Sequence, residues 1–547
     1  MSLQKDSNEY VLCGGEDISA LVVDLGFSTS KIGHNQEDTP RIFLNSICGE
    51  QIDNNENINE SQKEKLKFPL NICNRSENVK IKPLFYKNKI SNETMLNSDV
   101  FEKIIEYAIE GTVIKRVFEC NDEIIEPIKS GGLNLKLDEH PILLSESNIH
   151  NNKIREEITE ILFEKYNIPA IYFAKKAKLT SFSLGRSNSL VVDIGFSSLD
   201  INPVYEGYVL QKNSFEYDVG GDYLDRLIYE NLKADNINVV PYFCYNGIPP
   251  NSSISSISSS SSNNNNNSSS NNSSSNISSS NISNYQDIFK NIHNSYKEEA
   301  ILDIIRYMKE TVCRVRIDTN KNYDNNTRHV KDNMSDEHAT DYASSSYPNG
   351  NNPITVENSY GSHNNSYANN GYANNGYANN GYANNGYVNN SCVNNNNNET
   401  ELKDETFDLP DGTKINIDKY KYDIAEHFFK NIPNKNNYKG LPQAIINCIL
   451  STDVDIRKDL LQSIIVTGGS SLFSGLVERL YNSLKEKECF TQFVKIKILN
   501  TTMVVELKYS SWIGGSILAS LGTFQQLWVS KEEYSDAGHG LIVDRCF

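Results

Sequence analysis

The chain has 547 residues and a formal net charge of −18. It is long enough for two or more domains, and it has the wrong sign for gripping DNA by itself, because phosphate contacts need clustered Lys and Arg. No basic run exceeds Lys63-Glu-Lys-Leu-Lys67, no stretch reads as a signal peptide, and no apolar run reaches membrane-spanning length. Ten cysteines lie scattered without a Cys-x-x-Cys pair or a His/Cys cluster, which points to reduced thiols in a cytosolic or nuclear protein without a zinc site.

After a mostly polar lead (residues 1–19), Ala20-Leu-Val-Val-Asp-Leu-Gly-Phe-Ser28 reads as a short buried strand closed by a turn, with Lys31-Ile-Gly33 on the return strand. The polar, Asn-rich Ser46–Val79 reads as a loop or a reduced lobe. Val100–Ala108 has helical spacing, and Pro141–Leu144 is a short buried strand followed by Ser145-Glu-Ser. Asn151–Tyr166 predicts an amphipathic helix with Ile154, Ile158, Ile161 and Leu162 on one face. Pro169–Leu184 predicts another helix, ended by Gly185. Then the first motif returns as Ser189-Leu-Val-Val-Asp-Ile-Gly-Phe-Ser197, identical to it at seven of nine positions.

A single Asp-x-Gly after an apolar strand is usually just a turn. A duplicate suggests two related half-domains with one nucleotide between them. Gly26 and Gly195 permit close backbone approach, and turn N–H groups can cradle phosphate oxygens. Asp24 and Asp193 stand where they could face a cation or its water shell, since hard cations prefer oxygen.

Residues 251–283 are almost wholly Ser and Asn, too polar to offset chain entropy, so this tract (249–284 with its flanks) reads as a disordered insertion. Tyr296–Ile317 is helical in pattern. A second Asn-rich insertion (318–402) carries Tyr-Ala-Asn-Asn-Gly repeats through Tyr367–Gly386, a solvated loop expansion that a folded scaffold tolerates cheaply. Phe407–Ile417 predicts a hairpin turning at Asp411-Gly412, and Val454–Leu461 a helix. Ser463-Ile-Ile-Val-Thr-Gly-Gly-Ser-Ser471 reads as a third buried strand with a Gly-Gly turn, backed by a helix at Leu472–Lys487. Val494–Leu499 reads as a strand, and Trp512–Val529 as a packed helix bordering a groove.

These residues together resemble the actin family. Asp24-Leu-Gly…Lys31-Ile-Gly33 is similar to its first phosphate loop, and Asp193-Ile-Gly…Pro203-Val-Tyr-Glu-Gly-Tyr208 to its second. Tyr217-Asp-Val-Gly-Gly-Asp222, with Gly220, resembles the segment that follows. Lys309-Glu310 resembles the helix pair beside ribose and adenine, and Thr467-Gly-Gly-Ser470, with Gly468 and Gly469, the third nucleotide turn. Lys508-Tyr-Ser-Ser-Trp-Ile-Gly-Gly-Ser-Ile-Leu-Ala-Ser-Leu521 and the ending Cys546-Phe547 resemble the actin C-terminus. The fold implied is α/β: two related actin-like lobes (20–190 with 508–547, and 191–507) around a nucleotide cleft. The cofactor implied is ATP with Mg2+ or Ca2+, the metal held through water by Asp24 and Asp193.

Within the family the lead-in Gly14–Val22, Gly522, and the lack of an actin-like DNase-binding loop between Gly49 and Lys80 point to a nuclear class of chromatin-remodelling subunits. Matched position by position, the water-positioning Gln and His of actin fall on Lys176 and Asp200. Its second-loop Asp falls on Phe196, and its first-loop phosphate-binding Ser on Phe27. Phosphoryl transfer depends on positioning and electrostatics, so these replacements imply a nucleotide kept for structure, with weak or absent hydrolysis and no catalytic residue. A competing expectation is a cleft filled by Phe27 and Phe196.

The resemblance also implies a helix-binding groove at Phe182, Tyr208, Leu518, Leu521, Thr523 and Leu527. Its implied ligand is the helicase-SANT-associated helix of a remodelling ATPase, bound beside an actin monomer. Other subunits of remodelling and histone-acetyltransferase complexes, histones among them, complete the expected partners, in the nucleus, with neither sequence-specific nucleic acid nor membrane. A filament-forming cytoskeletal ATPase and a small-molecule kinase are the alternatives on the same fold.

Overall fold

The twin motifs build two sheets of one design. In the first, strand Leu21–Asp24 pairs antiparallel with its return strand Thr29–His34, which pairs with Ile42–Asn45. On its other side lie the parallel strands Ile142–Glu146 and Ala170–Lys175, with Val529–Ser530 at the edge. In the second, Ser189–Ile194 pairs antiparallel with Leu199–Tyr205, which pairs with Phe215–Tyr217, and its parallel neighbours are Ile464–Thr467 and then Ile498–Leu499. The computed structural model describes residues 19–52, 66–88, 93–114, 128–147, 152–244, 289–317, 405–486, 495–499, 501 and 503–546. Both Asn/Ser-rich insertions, the lead 1–18 and Phe547 lie outside them.

The central strands are buried on both faces, which is why they read as unbroken Leu and Val runs instead of alternating. Each sheet carries its own core. Leu21, Val23, Ile104, Leu143, Ile171 and Trp512 belong to the first, and Leu190, Val192, Ile228, Ile305, Ile445 and Val466 to the second. Each such side chain contributes about 1.5–3 kcal/mol by leaving water.

Several elements differ from expectation. Pro169–Leu184 is half strand: Ala170–Lys175 pairs in the first sheet, and only Lys176–Ser183 is helical. Ile171-Tyr-Phe-Ala174 is buried on both faces, and a short apolar run of that kind has no period to separate strand from helix. The C-terminal helix runs Val504–Ala519, and Gly522–Gln526 is a separate 3-10 turn. Its first turn exposes Val504 and Val505 while Ser510, Gly514, Gly515 and Ser516 further on are buried, so residue polarity does not follow exposure and does not announce its start. The helix behind the third strand begins at Leu476, because Gly475 takes a left-handed conformation (φ 85°) just before it. Residues 46–79 are not all loop: Ile47–Gln51, Leu66–Lys67 and Val79–Pro83 form a three-stranded sheet. Helices Gly221–Ala234 and Leu441–Ser451 add to those read from the sequence.

Helices Lys176–Ser183 and Val504–Ala519 cross between the two sheets, and glycine sets how closely. A Cβ on Gly514 would stand 1.9 Å from the Leu179 carbonyl oxygen. Thr180 Oγ1 and Ser510 Oγ meet at 3.2 Å across the same contact, and Ser510 Oγ meets Thr467 Oγ1 at 2.7 Å. Trp512 anchors the helix to the first sheet, its Nε1 donating to the Val22 carbonyl at 3.0 Å. Gly514→Ala forces backbone apart, so it should cost about 3 kcal/mol; the midpoint of urea unfolding of the full chain measures it, and an unchanged midpoint contradicts this packing.

Candidate functional site

The two Asp-bearing turns line one cavity of about 1370 Å³, together with the third turn at Gly468-Gly469. Asp24, Gly26, Lys31, Asp193, Gly195, Lys309, Glu310, Gly468, Gly469 and Lys508 all line it. Gly220 stands behind the second turn, where a Cβ would lie 2.4 Å from the Phe196 carbonyl oxygen. Gly26 is closed in the same way by the Thr29 carbonyl, 2.6 Å from a would-be Cβ. Gly468 combines positive φ (93°) with 2.4 Å from a would-be Cβ to Asp193 Oδ1, so no other residue fits there without moving the carboxylate.

Register explains why the two carboxylates behave differently. Each Asp faces the residue seven positions on across its return strand: Asp24 faces Lys31, whereas Asp193 faces Asp200. Lys31 Nζ lies 3.5 Å from Asp24 Oδ2. Lys176, opening its helix behind the parallel strands, puts Nζ 3.0 Å from Asp24 Oδ1 and donates to the Leu25 carbonyl at 2.7 Å. Ser145 Oγ donates to Asp24 Oδ1, and Ser511 Oγ to Oδ2 at 3.1 Å. Burial by itself would raise the Asp24 carboxyl, but Lys176, Lys31 and the Ser145 hydroxyl outweigh it and hold it well below the usual carboxylate range.

On the second side, burial pushes Asp193 up, with Asp24 adding to that rise and Lys176 and Lys31 opposing it. Asp200 is raised well above its ordinary value by burial, then by Glu216 and Asp193. Glu216 pairs with Asp200 across the next strands and is itself raised by burial and by Asp218, against Lys87. Lys87 belongs to the strand Phe85–Lys87 on the far side of the cavity and forms an ion pair with Asp218.

Phe27 and Phe196 do not fill the cleft. Phe27 packs on Phe85 with ring centroids 5.3 Å apart, and Phe196 lies under the Arg306 guanidinium, 4.9 Å from its centroid. Lys309 donates to the Gly221 carbonyl at 3.1 Å and pairs with buried Asp225 at 2.7 Å, while Arg306 holds the other oxygen of Asp225 at 3.2 Å. Sequence reasoning missed Ser145, Ser511, Lys87, Glu216, Asp218, Asp225 and Arg306. Only Ser145 carried a signal, as the first polar residue after an apolar strand.

The residues present fit a nucleotide polyphosphate: three turns admit backbone alone, and Lys31, Lys176, Lys309 and Lys508 ring one cavity. They do not fit a hydrated divalent cation at Asp24. A carboxylate offers about four lone-pair positions, and two serines and two ammonium groups engage both Asp24 oxygens.

The family model for actin matches residues 15–547. The chain belongs to the actin family. Similar full-length relatives are actin-related protein 4 of Oryza sativa subsp. indica, 27% identical over 97% of this chain and 99% of the relative; of Arabidopsis thaliana, 26% identical with the same coverage; and of Schizosaccharomyces pombe, 25% identical over 97% and 98%. Actin-related protein 4 is the class to which the lead-in and Gly522 pointed.

Beside the actin-type cleft, Glu146 forms a buried network with Lys175 (2.8 Å) and with Arg155, which also donates to the Cys546 carbonyl at 2.5 Å and so ties the C-terminal segment to the first sheet. The groove residues separate. Tyr208, Leu521, Thr523 and Leu527 are exposed, and Phe182 is partly buried against the first core. Leu518 is a correction: it shares a helix face with Gly514 and packs into the core, and Ile517 is the exposed neighbour. Among the described residues no helix is long and apolar enough to cross a membrane.

Two outcomes follow from the charges. An acid raised on folding gives stability that is present below its unfolded value and lost as pH rises through its folded value. Asp200→Asn should therefore stabilise the chain at neutral pH by on the order of 1 kcal/mol and flatten the fall in melting temperature as pH rises above the ordinary carboxylate range; an unchanged pH profile contradicts the burial of Asp200 beside Glu216. Glu146→Gln strands two buried cations and should cost about 3–5 kcal/mol in a urea titration.

Proposed function

We propose that the chain is a nuclear actin-related protein, a structural and binding subunit of chromatin-remodelling and histone-acetyltransferase complexes. In this reading its lobes (20–190 with 508–547, and 191–507) close on an ATP that is held for shape, with hydrolysis weak or absent. The supporting observation is Lys176. It stands where actin's water-positioning Gln falls, and its ammonium is committed to Asp24 and the Leu25 carbonyl. A group so held has no lone pair with which to orient a nucleophilic water. Asp200 at the matching His position and Phe196 at the matching Asp position remove two further polar groups of the reaction.

The assembly part of the proposal rests on end-to-end similarity to relatives named actin-related protein 4. The chain pairs with an actin monomer on the helicase-SANT-associated helix of a remodelling ATPase, and the exposed apolar residues Tyr208, Leu521 and Leu527 supply the contact, with histones or other subunits alongside. Affinity purification from nuclei should recover actin with a remodelling ATPase or acetyltransferase subunit, and purified chain should turn over ATP far more slowly than actin. Recovery of neither subunit overturns the assembly reading. Actin-like turnover, or pelleting with salt and ATP, favours a filament-forming ATPase instead.

A further inference from the structure

The misfit at Asp24 is specific. Both of its oxygens are taken, and the group beside them is a tethered cation. Lys176 Nζ contacts Asp24 at 3.0 Å and the Leu25 carbonyl at 2.7 Å, and it lines the same cavity as Asp193 and Asp200. Lys31 adds a second ammonium on the other Asp24 oxygen. A hydrated divalent ion placed here would meet two fixed like charges and a carboxylate whose oxygens already accept from Ser145 and Ser511 and face Lys176 at 3.0 Å and Lys31 at 3.5 Å. The charge that such an ion would bring to a polyphosphate is already on the chain.

Local chemistry keeps Lys176 in that role. It opens its helix directly after Lys175, whose side chain turns the other way to pair with Glu146. The two neighbouring lysines thus serve two networks: Lys175 fastens the C-terminal segment through Glu146 and Arg155, and Lys176 faces the cleft. The Asp24 and Asp193 carboxylates both favour the charged form of Lys176 against its burial.

We propose that the Lys176 ammonium replaces the divalent cation of this cleft, so that the chain binds nucleoside triphosphate as the metal-free polyanion. The inference rests on the reading of the cleft as a nucleotide site and adds the form of the ligand. Asp24 is then a positioning residue: it holds the ammonium at the mouth of the first turn, and Ser145 and Ser511 hold Asp24.

Calorimetric titration of the full chain with ATP, once in EDTA and once in excess MgCl2, tests it. The expected result is an apparent Kd at least tenfold weaker in excess MgCl2 than in EDTA, because Mg2+ ties up the free polyanion that the cleft takes. Lys176→Gln, which puts back an uncharged amide, should weaken binding in EDTA at least tenfold and regain it in MgCl2, whereas Lys176→Arg should keep metal-free binding. ATP-dependent protection in a thermal melt checks that each variant is folded and gives a second readout. Wild-type binding that is as tight or tighter with Mg2+ overturns the inference and leaves the nucleotide reading intact. So does metal-free binding that Lys176→Gln leaves unchanged. Heat signals and melts blind to ATP in both conditions overturn the nucleotide reading and this inference together.

Discussion

The ion pair between Lys176 and Asp24 is the contact on which the cleft depends. Two strands from two sheets each carry an aspartate at or next to their end, and both line the same cavity. Two carboxylates there would both rise toward neutrality, as Asp193 and Asp200 do on the second side. Asp24 stays ionised because Lys176 and Lys31 bracket it and two hydroxyls complete its hydrogen bonds. The cleft is therefore asymmetric in charge although it is nearly symmetric in backbone.

That asymmetry comes from one register position. The return strand places Lys31 opposite the first aspartate and Asp200 opposite the second. The first side is consequently a closed and neutralised clasp. The second side stores repulsion among Asp193, Asp200 and Glu216, to which Asp218 adds and which Lys87 opposes. The actin-family cleft is arranged here with an ammonium, Lys176, on the carboxylate that ends its first strand.

Much of this was legible from residues alone. Two near-identical nine-residue stretches are improbable by chance and need only a strand-turn reading, so the paired sheets, the glycine turns and the family were within reach. Ten of the eleven proposed cofactor residues line the cavity because motif spacing carries backbone geometry directly. Element type failed where burial is complete. Ile171–Ala174 and the Ser510–Ser516 stretch contact protein all round, so neither shows the polar-apolar alternation from which secondary structure is read. Leu518 was misplaced for a related reason: a leucine spacing of three does not say which face of the helix the sheet covers.

The sequence by itself determined which residues line the cleft: the twin aspartates, the turn glycines Gly26, Gly195 and Gly468, and Lys176. Only the tertiary structure decided what those charges do to one another. Asp24, Ser145, Lys176 and Ser511 are separated by up to hundreds of residues and meet at one carboxylate. A pattern along the chain records side-chain type and local period. Which groups converge on one carboxylate depends on distances of about 3 Å across the fold, where electrostatics and hydrogen bonding are decided.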